Sequence, residues 1–275
     1  MSQPLVRDTL KDLGLAASKS RGQNFLKDQN QIARIVGAIL KAAGPSPELM
    51  EIGPGLGALT RPLLAAGARV RAVELDRGLA ENLQSLAAEY PGRLEILPRD
   101  ILSLGADDFA PGSRCYLCGN LPYNISSPLL FWFLKLRRFF SGASFMLQKE
   151  MARRLCAGPG SKDYGRLTVA LALWCRVEKI LDVPPSAFHP RPKVDSSVVS
   201  LSPLPPDQEA AIDPETLGRF TAAAFAARRK TLFNNLAKAY GPEKSTAALK
   251  TLGIEPRVRA ETLSPQCLAS LAGLF

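Results

Sequence analysis

The chain has 275 residues, 46% of them hydrophobic, and a formal net charge of +10 at pH 7. No apolar run approaches the roughly 20 residues of a membrane span, and the first residues contain no apolar signal core, so we expect a cytoplasmic protein without a membrane partner. Five cysteines in such a chain do not indicate a disulfide framework, and with His189 as the single histidine we expect no metal site. The positive charge favours nucleic acid as a partner, and a solvated basic surface is the alternative explanation.

The first buried strand is predicted at residues 48–52 and runs into a glycine-rich turn, Gly53-Pro54-Gly55-Leu56-Gly57. Residues 58–66 follow as a predicted helix. This succession of strand, turn and helix is typical of nucleotide-type sites, because glycine lets the backbone approach a ligand. The spacing differs from the G-x-G-x-x-G of dinucleotide-binding proteins, and the turn alone is a weak signal.

Acidic residues follow the next two predicted strands. Residues 69–73 form one strand, and Glu74 lies at its end, 19 positions after Gly55. A carboxylate at that spacing can accept hydrogen bonds from both ribose hydroxyls. Residues 94–97 form the next strand, and Asp100 behind it could accept a proton from an adenine amine. The alternative role for Asp100 is that of a helix N-cap.

A second kind of motif follows the predicted strand at residues 114–119. The run Asn120-Leu121-Pro122-Tyr123-Asn124 begins where proline ends the strand, at the edge of the sheet where ligands bind in open α/β folds. An amide oxygen and a backbone carbonyl can accept protons from one exocyclic amine, and an aromatic ring can stack on a base. A plain proline turn with a packed tyrosine is the alternative.

The remaining chain alternates helices and strands before a helical tail. Helices are predicted at residues 129–140, 148–154 and 167–177, and strands at 143–147, 179–183 and 197–201. Residues 184–193 are predicted to be a proline-rich basic loop with one exposed aromatic residue, Phe188. Residues 202–207 have the composition of a linker. Helices are predicted at 214–226, 228–240, 244–252 and from Ser264 onward.

These motifs occur in order at successive strand ends, and together they resemble the class I S-adenosylmethionine-dependent methyltransferases, in particular those that act on adenine N6. The resemblance is closer to the KsgA/RsmA family, which dimethylates two adjacent adenines near the 3′ end of small-subunit ribosomal RNA. Three further runs carry it: Gly22-Gln23-Asn24-Phe25-Leu26, Asn124-Ile125-Ser126, and FHPRPKVDS at residues 188–196. Relatives that methylate large-subunit RNA share most of the catalytic motifs, but the last run and the helical tail favour the small-subunit enzyme.

The resemblance covers nearly the whole chain and implies an α/β fold with a second, helical part. Residues 1–204 would form the catalytic domain, with a Rossmann-like, mostly parallel sheet of seven strands and helices on both faces. Residues 205–275 would form a small all-helical RNA-binding domain. S-adenosylmethionine is the implied co-substrate, with contacts from Asn24, Leu26, Gly53, Gly55, Glu74, Asp100 and Asn120. The implied adenine pocket consists of the catalytic residues Asn120, Leu121, Tyr123 and Phe188.

We expect a monomer that acts on the small ribosomal subunit and its 16S-type RNA. Exposed basic residues are the expected RNA contacts, namely Arg153, Arg154, Lys193, Arg228, Arg229 and Lys230. Two alternatives stay open, a large-subunit RNA adenine methyltransferase and a non-catalytic RNA-binding ribosome-assembly factor. A dinucleotide dehydrogenase would not explain the motif at Asn120, and substrate competition would separate a DNA adenine methyltransferase from an RNA enzyme.

Overall fold

The computed structural model of the protein describes residues 6–15, 23–122 and 125–275. The chain divides into two compact units. One contains Met1–Ala152 and Glu178–Pro203, and the other contains Arg153–Val177 and Leu204–Phe275. This division differs from the predicted one in a single stretch, because residues 153–177 group with the C-terminal helices. The expectations for Gly22, Tyr123 and Asn124 lie outside the described residues.

The first unit contains a seven-stranded sheet with the strand order β4-β3-β2-β5-β6-β9-β7. A separate two-stranded ribbon pairs β1 with β8. The strands are β1 Phe25–Leu26, β2 Glu48–Ile52, β3 Arg69–Val73, β4 Leu94–Leu97, β5 Cys115–Asn120, β6 Phe140–Gln148, β7 Cys175–Val183, β8 Phe188–His189 and β9 Ser196–Pro203. The strand β7 belongs to the first unit from Glu178 onward.

The centre of the sheet is parallel. β2 pairs in parallel with β3 and β5, β3 pairs with β4 and β5 pairs with β6, whereas β6 and β9 are antiparallel. The mostly parallel seven-stranded sheet is therefore confirmed. Since the carboxyl ends of parallel strands share one edge, the segments after β2, β3, β4 and β5 are placed side by side. These are the segments that carry the predicted site residues.

The helices lie close to the predicted positions, with three differences at their ends. They are α1 Val6–Asp12, α2 Gln29–Ala43, α3 Thr60–Ala65, α4 Arg77–Glu89, α5 Ser126–Leu136, α6 Lys149–Leu155, α7 Arg166–Ala172, α8 Pro214–Ala224, α9 Leu232–Tyr240, α10 Pro242–Thr251 and α11 Pro265–Ala272. The prediction extended α5 and α7 into the strands β6 and β7. It also began α9 at Arg228, but the Thr231 side chain caps the helix by accepting from the Asn234 N–H at 3.2 Å.

The ribbon of β1 and β8 was not predicted. Phe25 pairs with His189 and Leu26 with Phe188, in antiparallel register. Leu26 and Phe188 are 4% and 2% exposed and belong to the main core of the first unit. The proline-rich surroundings of Phe188 predicted an exposed ring, and this prediction was wrong. The strand that contains Phe188 pairs with β1, and the ring lies among the apolar residues of the core.

The second unit is helical apart from the first residues of β7. Its core consists of leucine and phenylalanine side chains that are almost fully buried, including Leu217, Phe220, Leu236, Leu268 and Leu271. The loop before α7 is attached to the C-terminal helical region. The Gly160 N–H donates to the Glu261 carbonyl at 2.6 Å, and the Tyr164 hydroxyl donates to the Leu263 carbonyl at 2.9 Å.

Candidate active site

A cleft with a volume of about 180 Å³ lies at the carboxyl edge of the sheet in the first unit. Residues from the segment before α2 and from the ends of β2, β3, β4 and β5 line it. They include all seven predicted co-substrate contacts, namely Asn24, Leu26, Gly53, Gly55, Glu74, Asp100 and Asn120. The structure therefore brings these seven residues to one cleft, as the strand order requires.

The glycine-rich turn forms one wall of the cleft, and its backbone conformation requires glycine. Gly53 and Gly55 have φ angles of 62° and 59°, which side chains other than glycine rarely adopt. A Cβ atom at Gly55 would lie 3.1 Å from Cε1 of Phe25, whereas one at Gly53 would meet no atom of the described residues within 4 Å. The backbone at Gly53 is thus open to a ligand in the cleft.

Glu74 is buried at the end of β3, with 6% of its surface exposed. Its two carboxylate oxygens accept hydrogen bonds from the Gly55 N–H at 3.0 Å and from the Asp76 N–H at 2.9 Å. Burial raises the pKa of Glu74 above its usual value, and these two backbone hydrogen bonds oppose the rise. Glu74 therefore holds the glycine-rich turn in place in addition to lining the cleft, a role that the sequence analysis did not include.

Asp100 is both a helix cap and a residue of the cleft wall. Its carboxylate accepts from the Leu102 N–H at 2.9 Å and so caps the short 3₁₀ helix Ile101–Ser103. The same residue lines the cleft. Because a carboxylate has two oxygens with several lone pairs, capping leaves it able to accept from a ligand.

Glu51 is a further acidic residue in the cleft wall, and the sequence analysis gave it no role. It is 1% exposed, and its carboxylate accepts from the Thr60 hydroxyl at 2.7 Å. Burial raises the pKa of Glu51 from 4.5 to about 7, against the Thr60 hydrogen bond, and the nearby charge of Glu74 adds to the rise. The sequence feature that could have identified Glu51 is a charged residue within the run of buried residues of β2.

Asn120 ends β5 immediately beside the glycine-rich turn. The close approach depends on Gly119, because a Cβ atom at this position would collide with the Ile52 carbonyl oxygen. The Asn120 side chain donates from Nδ2 to the backbone carbonyl oxygen of Asn24 at 2.8 Å. Since an amide has a donor end and an acceptor end, this bond leaves Oδ1 as the end turned away from Asn24.

The other predicted members of the adenine pocket are described only in part. Leu121 lines the cleft and is 1% exposed, and its N–H donates to the Met146 carbonyl at 3.1 Å. Tyr123 lies outside the described residues. Phe188 is buried in the core with Leu26, and it is not among the residues that line the cleft. Base stacking by Tyr123 and Phe188 therefore remains a prediction.

Several apolar residues of the cleft were given no role in the sequence analysis, among them Phe25, Leu75 and Ile101. Leu75 and Ile101 both line it, next in sequence to Glu74 and Asp100 respectively. Leu75 is 59% exposed, an unusual surface for a leucine at the end of a buried strand. An apolar side chain beside each carboxylate suits a ligand with a flat ring and polar edges.

Asp195, in the predicted 188–196 motif, is connected to the start of α6. The Lys149 N–H donates to the Asp195 carbonyl at 3.0 Å, and the Lys149 ammonium lies 3.1 Å from the Asp195 carboxylate. The same ammonium lies 3.8 Å from Asp182, which accepts from the Ser197 hydroxyl at 2.6 Å. These contacts fix the chain that follows the proline-rich loop to the end of β6.

The predicted RNA contacts are all exposed, and they differ in how they are held. In the second unit the Arg228 guanidinium donates to the carbonyls of Ser161 and Tyr164, at 3.2 and 3.5 Å. Arg153 lies 4.0 Å from Asp163 in the same loop. Arg228 and Arg153 thus flank one loop of the second unit, and Arg229 and Lys230 follow Arg228 directly.

The profile of the family described as ribosomal RNA adenine dimethylase matches residues 14–275. The chain belongs to this family. The family assignment confirms the resemblance that the motifs indicated, and with it the class of a ribosomal RNA adenine dimethyltransferase.

Individual relatives of this dimethylase agree with the assignment. The chain is 43% identical to a protein named ribosomal RNA small subunit methyltransferase A from Actinobacillus pleuropneumoniae, over 97% of this chain and 92% of the relative. Among solved structures, a dimethyladenosine transferase from Plasmodium falciparum is similar with a TM-score of 0.75 and 26% identity, over 90% of this chain and 95% of that one. The 23S rRNA methyltransferase ErmE is similar with a TM-score of 0.65 and 27% identity, over 91% and 99% of the two chains.

The described part of the dimethylase contains neither a group of metal-ligating side chains nor a helix that could cross a membrane. Within residues 6–15, 23–122 and 125–275, no three His, Cys, Asp or Glu side chains are grouped as metal ligands would be. Over the same residues, every helix is too short or too polar to cross a membrane.

Proposed function

We propose that this dimethylase transfers methyl groups from S-adenosylmethionine to the N6 amines of two adjacent adenines near the 3′ end of small-subunit ribosomal RNA. The observation that carries the proposal is the position of Asn120, an amide whose acceptor end is turned away from Asn24 in a cleft lined by carboxylates. The methyl group comes from the sulfonium of the bound co-substrate, which makes an additional metal ion unnecessary.

The cleft suits S-adenosylmethionine in charge and shape. Glu74 and Asp100 supply carboxylates around a cationic ligand. Glu74 would accept from the ribose hydroxyls, Asp100 from the adenine amine, and the open backbone at Gly53 would let the ligand approach closely. Asn24 and Leu26 would complete the wall from the other side. Hydrogen bonds to charged groups of this kind contribute about 1.5–3 kcal/mol each.

The acceptor adenine must present a nitrogen lone pair that is otherwise delocalised into the ring. The Asn120 Oδ1 and the Leu121 carbonyl would accept the N6 protons and favour a tetrahedral nitrogen whose lone pair points at the methyl carbon. The remaining contribution is positioning, which supplies roughly 7–11 kcal/mol in favourable cases. Tyr123 would stack on the extruded base, at about 1–3 kcal/mol per base, whereas the Phe188 ring, 2% exposed, would first have to become exposed to do the same.

The small subunit is favoured over the large one by the relatives. A protein named for the small subunit is 43% identical, whereas the 23S rRNA enzyme is 27% identical. We infer that the exposed basic residues of both units bind the RNA backbone: Arg153, Arg154, Lys193, Arg228, Arg229 and Lys230. The protein would act as a monomer in the cytoplasm, with residues 1–204 carrying catalysis and residues 205–275 contributing to RNA binding.

The test is incubation of the purified protein with labelled S-adenosylmethionine and immature small ribosomal subunits, followed by nucleoside analysis. We expect label in dimethyladenosine from small-subunit RNA, and none with Asn120→Ala over the same time. Large-subunit particles and duplex DNA serve as competing substrates. Label confined to large-subunit RNA would support the alternative enzyme, and RNA binding without any label would support the assembly factor.

A further inference from the structure

Phe25 occupies a position that connects the co-substrate wall to Asn120. In a strand, successive side chains point to opposite faces, so Leu26 and Phe25 separate. Leu26 enters the main core, whereas Phe25, 9% exposed, packs with Leu10 and Leu79 in a second apolar cluster. The ribbon of β1 and β8 has only two residues in each strand, too few to be stable without such side-chain packing.

The Phe25 ring lies directly against the glycine-rich turn. A Cβ atom built on Gly55 would be 3.1 Å from Cε1 and 3.2 Å from Cδ1 of the ring, so the ring occupies the side of Gly55 on which a side chain would project. On its other side, the Gly55 N–H donates to Glu74 at 3.0 Å. The turn is therefore held between an aromatic ring and a buried carboxylate.

The residue before Phe25 sets the orientation of the Asn120 amide. The Asn24 carbonyl can only accept a hydrogen bond, so the end of the amide that faces it must be Nδ2, at 2.8 Å. The position of this carbonyl depends on where β1 lies. Since Phe25 fixes β1 against the glycine-rich turn, one side chain places both the turn and the carbonyl that orients Asn120.

We propose that Phe25 is a positioning residue for methyl transfer, which aligns the Asn120 acceptor oxygen with the co-substrate through the Asn24 carbonyl and Gly55. This inference rests on the proposed function. Phe25 acts through Asn120 and the turn, so its removal should lower the rate of the transfer step even when both substrates are saturating. A displacement of about 1 Å can cost roughly a hundredfold in rate.

The experiment is a double-mutant cycle on single-turnover rates at saturating S-adenosylmethionine and small subunits. Phe25→Ala and Asn120→Ala are measured alone and together, with Phe25→Leu as a milder variant and Leu10→Ala as the control. Leu10 belongs to the same apolar cluster, but none of its atoms lies within 4 Å of the Cβ position of Gly55. Thermal unfolding of each variant is measured alongside to separate loss of stability from loss of rate.

We expect Phe25→Ala to slow transfer by about tenfold to a hundredfold, Phe25→Leu by less, and Leu10→Ala to leave the rate near that of the unmutated protein. In the Asn120→Ala background, Phe25→Ala should have little further effect, because the group through which it acts is gone. Fully additive losses, or equal losses in the Phe25 and Leu10 variants, would overturn the inference while the unmutated protein still formed dimethyladenosine. If the unmutated protein formed none, the proposed function itself would fail.

Discussion

Asn120 and Asn24, 96 positions apart in the chain, are joined by a hydrogen bond of 2.8 Å from the Asn120 side-chain nitrogen to the Asn24 backbone carbonyl. The contact connects the end of β5 to the segment before β1, and both residues line the cleft. Its chemical consequence is a fixed amide orientation, with the acceptor oxygen turned away from Asn24. In the proposed function, a base amine that enters the cleft would therefore meet an acceptor that needs no rotation.

Replacement of Asn120 tests this role in the transfer step. Asn120→Ala removes the acceptor, and Asn120→Asp places a carboxylate oxygen against the Asn24 carbonyl, where neither atom can donate. We expect both variants to lower the single-turnover rate by about 100-fold or more at saturating concentrations of both substrates. Saturation is needed because Asn120 also lines the cleft that is proposed to bind the co-substrate. A rate within a few fold of the unmutated protein would refute the role in transfer.

Glu74 should control co-substrate affinity through two contributions. Glu74→Ala removes both the ribose acceptor and the hydrogen bonds to the Gly55 and Asp76 N–H groups, so we expect a loss of about 1.5–3 kcal/mol in S-adenosylmethionine binding. Glu74→Gln keeps one acceptor oxygen and should lose less. Calorimetric titration measures the affinity, with the exposed Glu81→Ala as the control. Unchanged affinity in Glu74→Ala would remove this carboxylate from the site.

The predictable part of the site is the part that depends on sheet topology. Glu74, Asp100 and Asn120 each follow an apolar run long enough to indicate a buried strand, and parallel pairing brings such strand ends together. Their sequence positions were therefore sufficient to place them at one edge. The glycine-rich turn was found for the same reason, since it lies between a strand and a helix.

The part that could not be predicted depends on long-range pairing and on short elements. A two-residue strand such as β1 has no periodicity, so its pairing with Phe188 and His189 leaves no local signal. The burial of Phe188 was missed as a consequence. The start of β7 at Cys175 was missed for a similar reason. The apolar pattern of the preceding helix continues beyond this point, so the sequence predicts a helix where the chain is extended.

Stability should depend on pH through Glu51. Its pKa is raised from 4.5 to about 7 by burial, so the folded protein holds a proton that the unfolded chain releases in this range. The stability contributed by this proton is present below pH 4.5 and is lost as the pH rises through about 7. A shift of this size corresponds to roughly 3 kcal/mol at most.

The measurement for Glu51 is urea unfolding across this pH range for the unmutated protein and Glu51→Gln. The glutamine can still accept from the Thr60 hydroxyl but does not ionise, so its stability should fall less steeply with pH. Glu48→Gln, an exposed change in the same strand, is the control and should follow the unmutated protein. Parallel curves for Glu51→Gln and the unmutated protein would contradict the assignment.

Variants of Arg228 and of its neighbours Arg229 and Lys230 should distinguish a residue that stabilises the second unit from residues that only bind RNA. The Arg228 guanidinium donates to the carbonyls of Ser161 and Tyr164, so Arg228→Ala should lower the stability of the protein in addition to RNA affinity. Arg229 and Lys230 are exposed, and neutralising a phosphate contact there should reduce the slope of log affinity against log salt by about one unit, with stability unchanged. Salt titrations of small-subunit RNA binding, paired with thermal unfolding, measure both quantities. An unchanged slope in Arg229→Ala combined with Lys230→Ala would show that these two side chains form a solvated surface instead of an RNA contact.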